Sequence, residues 1–281
     1  MPETSELPPL REVIARHGLG AKRALGQHFL LDLNLTRRIA RAAGPLAGGT
    51  TIEIGPGPGG LTRALLDEGA ARVIAIEIDP RCIAALAELQ TLHPTRLVVV
   101  EGDALEIDIP ALAATGPRRI VANLPYNVAS PLLVKFLREA QAYESFTLMF
   151  QKEVASRLIA TPRTPAYGRL GVLANWICEV RRLFDIGPRA FTPPPRVIST
   201  VVRLVPRAQS IDAETFAAFE RVTAAAFGRR RKMLRSALAT LTPDPEWLLG
   251  EAGIAPTPRA EELPIESFVA LAHALMVWDK K

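Results

Sequence analysis

The segment that decides the fold is TTIEIGPGPGG, residues 50–60. It starts with an apolar run, typical of a buried strand, and continues into closely spaced glycines. Glycine at a strand end allows a sharp turn and lets a ligand approach the backbone, because no Cβ stands in the way. An amphipathic helix is predicted directly afterwards, at 59–69. This order of strand, glycine loop and helix indicates a ligand-binding turn at the carboxyl end of a parallel strand.

Short apolar strands alternate with amphipathic helices up to residue 150, which predicts a parallel α/β sheet with helices on both faces. The predicted strands lie at 50–54, 72–78, 96–102, 118–124 and 145–150, and the helices near 59–69, 80–90 and 129–141. A further helix is expected after residue 150, followed by two strands, near 171–182 and 197–205, that a proline-rich loop joins. The stretches after residue 207 have only helical spacing.

The elements predict three parts of the chain. Residues 1–20 form a weakly structured arm that is helical from Leu10 to Arg16, residues 21–206 form the sheet domain, and residues 207–281 form a smaller all-helical domain. Asp32 is expected to cap the first helix of the sheet domain. Hydrophobic residues make up 48 % and charged residues 22 % of the 281 residues, which excludes a disordered or fibrous chain.

Composition also limits the partners. The two cysteines and four histidines do not have the spacing of a disulfide framework or a zinc site, so we expect no metal. No apolar run approaches the roughly 18 residues of a membrane span, and the N-terminal stretch lacks the apolar core of a signal peptide. We therefore expect a cytoplasmic protein that does not contact a membrane. Lys and Arg outnumber Asp and Glu by 34 to 29, which is a small excess. Whether it indicates a binding surface for an anionic partner depends on where the cations cluster.

Acidic residues follow the next two predicted strands. Glu77 ends VIAIE, where its carboxylate can accept hydrogen bonds from two ribose hydroxyls. Asp103 follows LVVVEG and can accept a hydrogen bond from an adenine amine. The nearby Asp79 is interpreted as a helix N-cap. Together with the glycine loop, the two strand-end acids predict a cofactor that contains adenosine.

The glycine spacing distinguishes two kinds of cofactor site. Dinucleotide-binding loops need G-x-G-x-x-G, whereas Gly55, Gly57 and Gly59 are spaced by two residues, with Gly60 added. The G-x-G-x-G form resembles that of S-adenosylmethionine-dependent methyltransferases. A nicotinamide dehydrogenase is disfavoured by this spacing and by the lack of a catalytic dyad after the glycine-loop half.

The fourth predicted strand ends in Asn123-Leu124-Pro125-Tyr126, a pattern that suits chemistry on a nucleobase amine. Such an amine is a poor nucleophile because its lone pair is delocalised into the ring. The Asn123 side-chain oxygen and the Leu124 carbonyl can accept its two N–H groups, and Tyr126 offers a face for stacking, worth roughly 1–3 kcal/mol per base. Phe191, before a proline run, is expected to sandwich the base from the other side. The alternative for the Asn123 motif is a structural turn with a buried Asn, and the alternative for Phe191 is a loop aromatic that fills the core.

Five motifs occur in the order of the ribosomal RNA adenine dimethyltransferase family, which the chain resembles from about residue 20 to its end. They are Gly26–Leu30, Glu53–Gly57, Asn123–Tyr126, Phe191–Val197 and Phe227–Arg235. The resemblance implies a Rossmann-like methyltransferase sheet, S-adenosylmethionine as methyl donor, and N(6),N(6)-dimethylation of two adjacent adenines in the 3′-terminal hairpin of 16S rRNA. This is the activity of the family's kasugamycin-sensitivity type, which acts late in small-subunit assembly. The implied partner is 16S rRNA within an immature 30S subunit, bound by a monomer.

The residues and the resemblance together give the candidate site. The expected cofactor-binding residues are His28, Leu30, Gly55, Gly57, Glu77, Asp103 and Asn123, and the expected catalytic residues are Asn123, Leu124, Tyr126 and Phe191. The family more often carries Asn at the position of His28.

Two basic clusters are candidates for RNA phosphate contacts. The first, predicted at a helix start in the small domain, consists of Arg229, Arg230, Arg231, Lys232 and Arg235. The second, near the expected site entrance, consists of Arg11, Arg16, Lys22, Arg23, Arg37, Arg38 and Arg41. A solvated charged face is the alternative for the first cluster.

Two other functions share many of these features. One is a large-subunit rRNA adenine methylase of the macrolide-resistance type, which has nearly all the same catalytic motifs. The other is a protein that mainly binds the immature small subunit as an assembly checkpoint. Degraded glycine-loop or Asn-Leu-Pro-Tyr motifs would favour the checkpoint role, but both motifs are intact.

Overall fold

The computed structural model describes residues 7–20, 27–113 and 116–281. Within these residues, seven strands form one mixed sheet and two short strands pair separately. The strands are β1 (Phe29–Leu30), β2 (Thr50–Ile54), β3 (Val73–Glu77), β4 (Leu97–Glu101), β5 (Arg118–Asn123), β6 (Ser145–Gln151), β7 (Cys178–Ile186), β8 (Phe191–Thr192) and β9 (Ser199–Pro206). The α-helices are α1 (Leu10–Arg16), α2 (Leu33–Ala42), α3 (Gly60–Asp67), α4 (Pro80–Leu92), α5 (Ala129–Arg138), α6 (Lys152–Leu158), α7 (Arg169–Ile177), α8 (Ala213–Gly228), α9 (Leu234–Leu238), α10 (Pro245–Glu251) and α11 (Ile265–Trp278).

The strand order of the main sheet is β4-β3-β2-β5-β6-β9-β7. Adjacent strands from β4 to β6 are parallel, and β9 runs antiparallel to β6. The chain builds outward from β2 through β3 to β4 and then adds β5 on the other side of β2. In sheets of this kind ligands bind where the strand order reverses, outside the carboxyl ends of the strands. The ends of β2 and β5 are therefore the place to look for a site.

The α/β prediction is confirmed in the first five strands of this sheet and in the helices between them. β2 and β3 are buried at every residue, as expected of strands that helices cover on both faces. Asp32 caps α2 as predicted, since its side chain accepts a hydrogen bond from the Asn34 backbone N–H at 2.9 Å. Asp79 caps α4 in the same way, through the Arg81 backbone N–H at 3.1 Å.

The N-terminal segment is more ordered than predicted. Helix α1 lies where expected, but residues 7–20 do not form a weakly structured arm. Leu10, Val13 and Leu19 are at most 5 % exposed, so the segment buries a continuous apolar face. The Pro8 carbonyl also accepts a hydrogen bond from Arg63, 2.6 Å away. Leu10 and Val13 on one face of α1, with Leu19 in the turn after it, are the signal that the prediction underestimated.

The chain divides into two compact units. One contains the residues up to Ala155 together with Arg181–Val205, and the other contains Ser156–Val180 together with Pro206–Lys281. The predicted boundary at 206/207 assigned Ser156–Val180 to the sheet domain, whereas in the structure this segment groups with the helical unit. The second unit is built mainly from α7–α11, and α8 packs against α11 there.

The predicted strand at 171–182 is wrong over its first part, because residues 169–177 form helix α7. Most side chains of α7 are buried, so the apolar residues do not alternate, and a continuous apolar run does not distinguish a helix from a strand. Gly171 is required there, since a Cβ would lie 2.2 Å from the Arg157 carbonyl oxygen. Of the helices in the described residues, none is long and apolar enough to cross a membrane.

Candidate active site at the strand-order switch

A cavity of about 280 Å³ opens at the carboxyl ends of β2 and β5. The glycine loop (residues 55–60) forms one wall, and Gly55, Gly57 and Gly59 all have positive φ, between 57° and 86°. Two positions require glycine for space as well: a Cβ on Gly57 would lie 2.9 Å from the Phe29 ring, and one on Gly60 would lie 2.7 Å from the Leu30 carbonyl oxygen. The loop therefore packs against β1, and this contact explains why the motifs containing Leu30 and Gly55 belong to one site.

Glu77, at the end of β3, holds this wall together. Its carboxylate accepts three backbone N–H groups, from Gly57 at 3.0 Å and from Ile78 and Asp79 at 2.9 Å each. The side chain lines the cavity although the residue is only 5 % exposed, and burial raises its pKa while the three N–H groups oppose that rise. A carboxylate has about four lone-pair sites. Glu77 can therefore offer about one more hydrogen bond to a ligand, fewer than the two ribose contacts predicted.

Asp103 lies on the loop that follows β4 and also lines the cavity. One carboxylate oxygen accepts the Leu105 backbone N–H at 2.8 Å. Lys135 of α5 fixes the same loop from behind, because its ammonium group donates to the carbonyls of Ala104, Leu105 and Ile107 at 2.5–3.1 Å. The sequence prediction missed Lys135, since nothing in its local pattern sets it apart from a solvated helix cation.

Glu53 is an acid of the cavity wall that the prediction passed over. It lies in β2 directly before the glycine loop, is 1 % exposed and lines the cavity. Burial raises the pKa of Glu53 to about 8, and the neighbouring Glu77 carboxylate adds to the rise. Its Oε2 has no hydrogen-bond partner within the described residues. A carboxyl group in an otherwise apolar buried strand was the available signal.

Asn123 ends β5 on the opposite wall of the cavity. Its side-chain Nδ2 donates to the His28 backbone carbonyl at 3.0 Å. Because a carbonyl only accepts, this bond fixes the orientation of the amide and leaves Oδ1 free to accept a hydrogen bond. Leu124 is 1 % exposed, and both it and Tyr126 line the cavity. The Tyr126 hydroxyl is 2.6 Å from the Ser199 hydroxyl.

Phe191 is more buried than the role predicted for it suggests. It is 3 % exposed, belongs to the hydrophobic core and is not among the residues that line the cavity. The reason is its position in β8, where it pairs with Leu30 of β1. The ring that lies against Tyr126 is His28, with centroids 5.4 Å apart. The stacking role expected of Phe191 stays a prediction, although its ring is buried in this structure.

The basic residues 229–232 are exposed, as a phosphate-binding cluster requires, but they lie in the turn between α8 and α9 and not within a helix. Arg230 is engaged: it donates to the Glu261 carboxylate at 2.6 Å and to the Pro165 carbonyl at 2.7 Å. Arg235, in α9, lies 3.9 Å from Glu246. Among the residues the structure describes, Arg229, Arg231 and Lys232 have no acidic partner.

Three described members of the second predicted cluster are paired with acidic side chains. Arg37 pairs with Asp67 at 2.9 Å, and Arg41 pairs with Glu68 at 2.8 Å. The Arg38 guanidinium lies over the Phe184 ring, 3.9 Å from its centroid. The other members are Arg11, which is exposed, Arg16, which is paired with Glu88, and Lys22 and Arg23, which lie outside the described residues.

The charges of the cavity fit the expected cofactor. Glu53, Glu77 and Asp103 line it, and the described lining residues include neither Lys nor Arg. The Glu77 and Asp103 carboxyl groups, with no cation on the wall, disfavour the pyrophosphate of a dinucleotide and suit a positively charged sulfonium, whereas Glu53, with its raised pKa, is mainly neutral near pH 7. Gly55 keeps the space beside Pro125 open, since a Cβ there would lie 3.7 Å from that ring. No group of three or more His, Cys, Asp or Glu that could hold a metal occurs among the described residues.

Comparison with known proteins identifies the family of this chain. The family model for ribosomal RNA adenine dimethylases matches residues 18–276. A relative from Rhodospirillum rubrum named ribosomal RNA small subunit methyltransferase A is 63 % identical over 96 % of this chain and 93 % of its own length. A protein of the same name from Paramagnetospirillum magneticum is 61 % identical and covers 96 % of both chains.

Two solved structures extend the likeness to the fold. The dimethyladenosine transferase from Plasmodium falciparum has a TM-score of 0.75 and 27 % identity, over 90 % of this chain and 98 % of that one. The 23S rRNA methyltransferase ErmE has a TM-score of 0.63 and 29 % identity, over 88 % and 99 %. The family match over residues 18–276 agrees with the Rossmann-like sheet and with the cavity beside the glycine loop. The chain therefore belongs to the ribosomal RNA adenine dimethylase family of S-adenosylmethionine-dependent methyltransferases.

Proposed function

We propose that this protein dimethylates the N6 amines of two adjacent adenines in the 3′-terminal hairpin of 16S rRNA, within an immature 30S subunit. The product is N(6),N(6)-dimethyladenine, and the enzyme acts as a cytoplasmic monomer. The observation that carries the proposal is the orientation of Asn123, whose amide nitrogen is tied to the His28 carbonyl so that Oδ1 is free as an acceptor beside Tyr126.

This orientation suits the chemistry of an adenine amine. Asn123 Oδ1 and the Leu124 carbonyl accept the two N–H groups of the amine, which draws its nitrogen toward a tetrahedral form with an available lone pair. Pro125 has no N–H to compete for these acceptors, and its ring restricts the backbone between Leu124 and Tyr126. The side chains therefore act by positioning and by charge placement.

S-adenosylmethionine supplies a methyl group on a positively charged sulfur when it is bound. The bound cofactor would supply this methyl group to the amine nitrogen that Asn123 Oδ1 and the Leu124 carbonyl hold, and the amine proton would leave to solvent. That proton becomes acidic once the methyl group is attached, so no general base has to stand beside the amine. The residues proposed to hold the cofactor are His28, Leu30, Gly55, Gly57, Glu77, Asp103 and Asn123.

The small-subunit assignment rests on the relatives. Proteins named ribosomal RNA small subunit methyltransferase A are 55–63 % identical to this chain, whereas ErmE, a 23S rRNA methyltransferase, is 29 % identical. The turn that contains Arg229, Arg231 and Lys232 is proposed to contact rRNA phosphates, since its cations are exposed and lack acidic partners among the described residues.

The test is mass spectrometry of rRNA nucleosides after incubation with S-adenosylmethionine. Small subunits from cells that lack this activity should gain N(6),N(6)-dimethyladenine, and digestion to fragments should place it in the 3′-terminal hairpin of 16S rRNA. Isolated large subunits serve as the matched control. Methylation of 23S rRNA instead would support the large-subunit alternative. Tight particle binding without methyl transfer would support the assembly-checkpoint alternative.

A further inference from the structure

The Asp103 loop (residues 102–107) leaves one carboxylate oxygen of Asp103 open to a ligand. The other oxygen accepts the Leu105 backbone N–H at 2.8 Å, and among the described residues the open one has no hydrogen-bond partner. The Asp103 backbone carbonyl accepts the N–H groups of Glu106 and Ile107 at 2.9 and 3.0 Å. The loop is therefore a tight turn around Asp103, and the direction of the open oxygen depends on how this turn is held.

Lys135 of α5 holds the turn from outside. Its ammonium group donates to the carbonyls of Ala104 at 2.9 Å, Leu105 at 3.1 Å and Ile107 at 2.5 Å. An ammonium group has three N–H donors, so these bonds use all of them. Ala104 is only 7 % exposed, and a buried carbonyl that loses its partner is unfavourable. Removal of the ammonium group therefore favours a shift of the turn.

The start of the loop is fixed without Lys135. The Gly102 N–H donates to the Glu77 carbonyl at 2.9 Å, which joins the end of β4 to the end of β3. Gly102 has a φ of 153°, and a Cβ there would lie 2.7 Å from the Ile107 side chain. Loss of Lys135 should therefore leave the strand end in place, while the turn and the Asp103 side chain on it change position.

We propose that Lys135 is a positioning residue for cofactor recognition: by holding the turn, it directs the open Asp103 oxygen to the 6-amino group of the cofactor's adenine. Lys135 is not among the described residues that line the cavity, whereas Gly102, Asp103 and Ala104 are, so its effect on a ligand passes through the loop. The inference rests on the proposed function at one point, the contact of Asp103 with the adenine. It adds that recognition of the amine depends on a side chain that does not touch the cofactor.

The test measures how strongly Lys135 and the adenine amine depend on each other. Two ligands are titrated by calorimetry: S-adenosylhomocysteine, which is the demethylated cofactor, and its analogue with hydrogen in place of the 6-amino group. The ligands have the same charge, so the electrostatic effect of removing a lysine cancels in the ratio of their dissociation constants.

Two substitutions at Lys135 and one control are compared. Lys135→Met removes all three donors, and Lys135→Arg keeps the charge but places a planar guanidinium where three carbonyls converge on one nitrogen. Lys152→Met is the matched control, since Lys152 is a helical lysine of the same unit that pairs with Asp185 at 3.1 Å.

A hydrogen bond to a charged group is worth about 10- to 150-fold in affinity, so the wild type should prefer the ligand with the amine by at least about 10-fold. We expect Lys135→Met to reduce this preference to about 3-fold or less, mainly by weakening the binding of S-adenosylhomocysteine, and Lys135→Arg to reduce it by less. Lys152→Met should keep the wild-type preference. The inference is overturned if folded Lys135→Met keeps it too, including the case in which both ligands are weakened by the same factor, which is the result of a purely structural role.

Thermal unfolding shows which variants are folded. If Lys135→Met does not fold, Lys135→Arg decides: a preference below that of the wild type supports the inference, and an unchanged preference overturns it. Equal binding of the two ligands by the wild type would contradict the Asp103 contact and the inference with it. Methyl transfer to rRNA by the wild type is measured separately, so failure of the proposed function is distinguishable from failure of this inference.

Discussion

The two walls of the cavity are held in different ways. On the glycine-loop wall, the buried Glu77 carboxylate binds three backbone N–H groups, and Lys135 binds three carbonyls of the Asp103 loop. On the Asn123 wall, one amide–carbonyl bond orients Asn123, and the rings of His28 and Tyr126 remain half-buried.

This difference matches the two tasks of the enzyme. A cofactor of constant shape is best bound by a wall that is rigid before it arrives, because less ordering is then required on binding. A base that must leave an RNA stack needs a wall with acceptors already fixed and an aromatic face on which it can stack. The walls should therefore respond differently to substitution, and the predictions below test that separation.

The largest effect is expected on the Asn123 wall. Asn123→Ala removes the Oδ1 acceptor and should lower the rate of methyl transfer about 100- to 1000-fold, as the loss of one charge-stabilising group in an active site commonly does. Binding of small subunits should change little, because it depends on basic surfaces elsewhere. Single-turnover methylation and particle pull-down measure the two quantities. Asn34→Ala, on the exposed face of α2, is the control, and joint loss of both activities would argue that the loop had collapsed.

On the opposite wall, Glu77→Gln should act first on the cofactor. The amide places a donor against backbone N–H groups that need acceptors, which costs roughly 1–3 kcal/mol in stability for a buried unsatisfied group. We expect cofactor affinity to fall about 10-fold or more in calorimetry. Glu101→Gln is a close control, since Glu101 pairs with Glu77 in register on β4 but is exposed. Unchanged affinity in Glu77→Gln would remove Glu77 from the cofactor site.

Glu53 predicts a pH dependence of stability. Its folded pKa is about 8, above the usual 4.5, so the folded state holds a proton that the unfolded state has lost between those values. The contribution of Glu53 to the free energy of unfolding is therefore fully present below about pH 4.5. It declines by about 1.4 kcal/mol per pH unit as the pH rises toward 8. Urea unfolding at several pH values should show this slope reduced in Glu53→Gln. Parallel curves for the two proteins would contradict the assignment.

The smallest effect concerns the basic turn of the second unit. Replacing Arg229, Arg231 and Lys232 by Ala should flatten the salt dependence of RNA binding by about 2–3 units of slope if all three contact phosphate, at about 0.7–0.9 per phosphate. Replacing Arg37 and Arg41, whose charges are already paired within the protein, should leave the slope unchanged. Filter binding across a salt series measures both. If replacing Arg37 and Arg41 flattened the slope and replacing the turn residues did not, the RNA contact would lie on α2 instead.

The sequence predicted the central sheet well because short segments rich in β-branched residues lie between clear turns, as in β2 and β3. It also located Gly55, Glu77, Asp103 and Asn123 around one cavity, since residues at the ends of adjacent parallel strands must lie together. What it could not predict depends on tertiary context. The β1–β8 ladder is two residues long on each side, too short to have a periodicity of its own.

The same limit explains the unexpected burial of Phe191. Its motif indicates a rigid loop, but only the pairing with Leu30 shows that the ring points into the core. Similarly, the spacing of Arg37 and Arg41 indicates a basic strip, whereas Asp67 and Glu68, which neutralise it, lie on a neighbouring helix and at its end.

The most direct test of the account is single-turnover methyl transfer by Asn123→Asp compared with Asn123→Ala, at saturating cofactor and small subunits. Aspartate keeps an acceptor oxygen toward the amine but loses the N–H that binds the His28 carbonyl, so it isolates the acceptor from the orienting bond. The account predicts that Asn123→Asp is slower than the wild type yet at least about 10-fold faster than Asn123→Ala, which lacks the acceptor altogether. Equal rates for the Asp and Ala variants, or a wild-type rate in Asn123→Ala, would contradict the role assigned to Asn123.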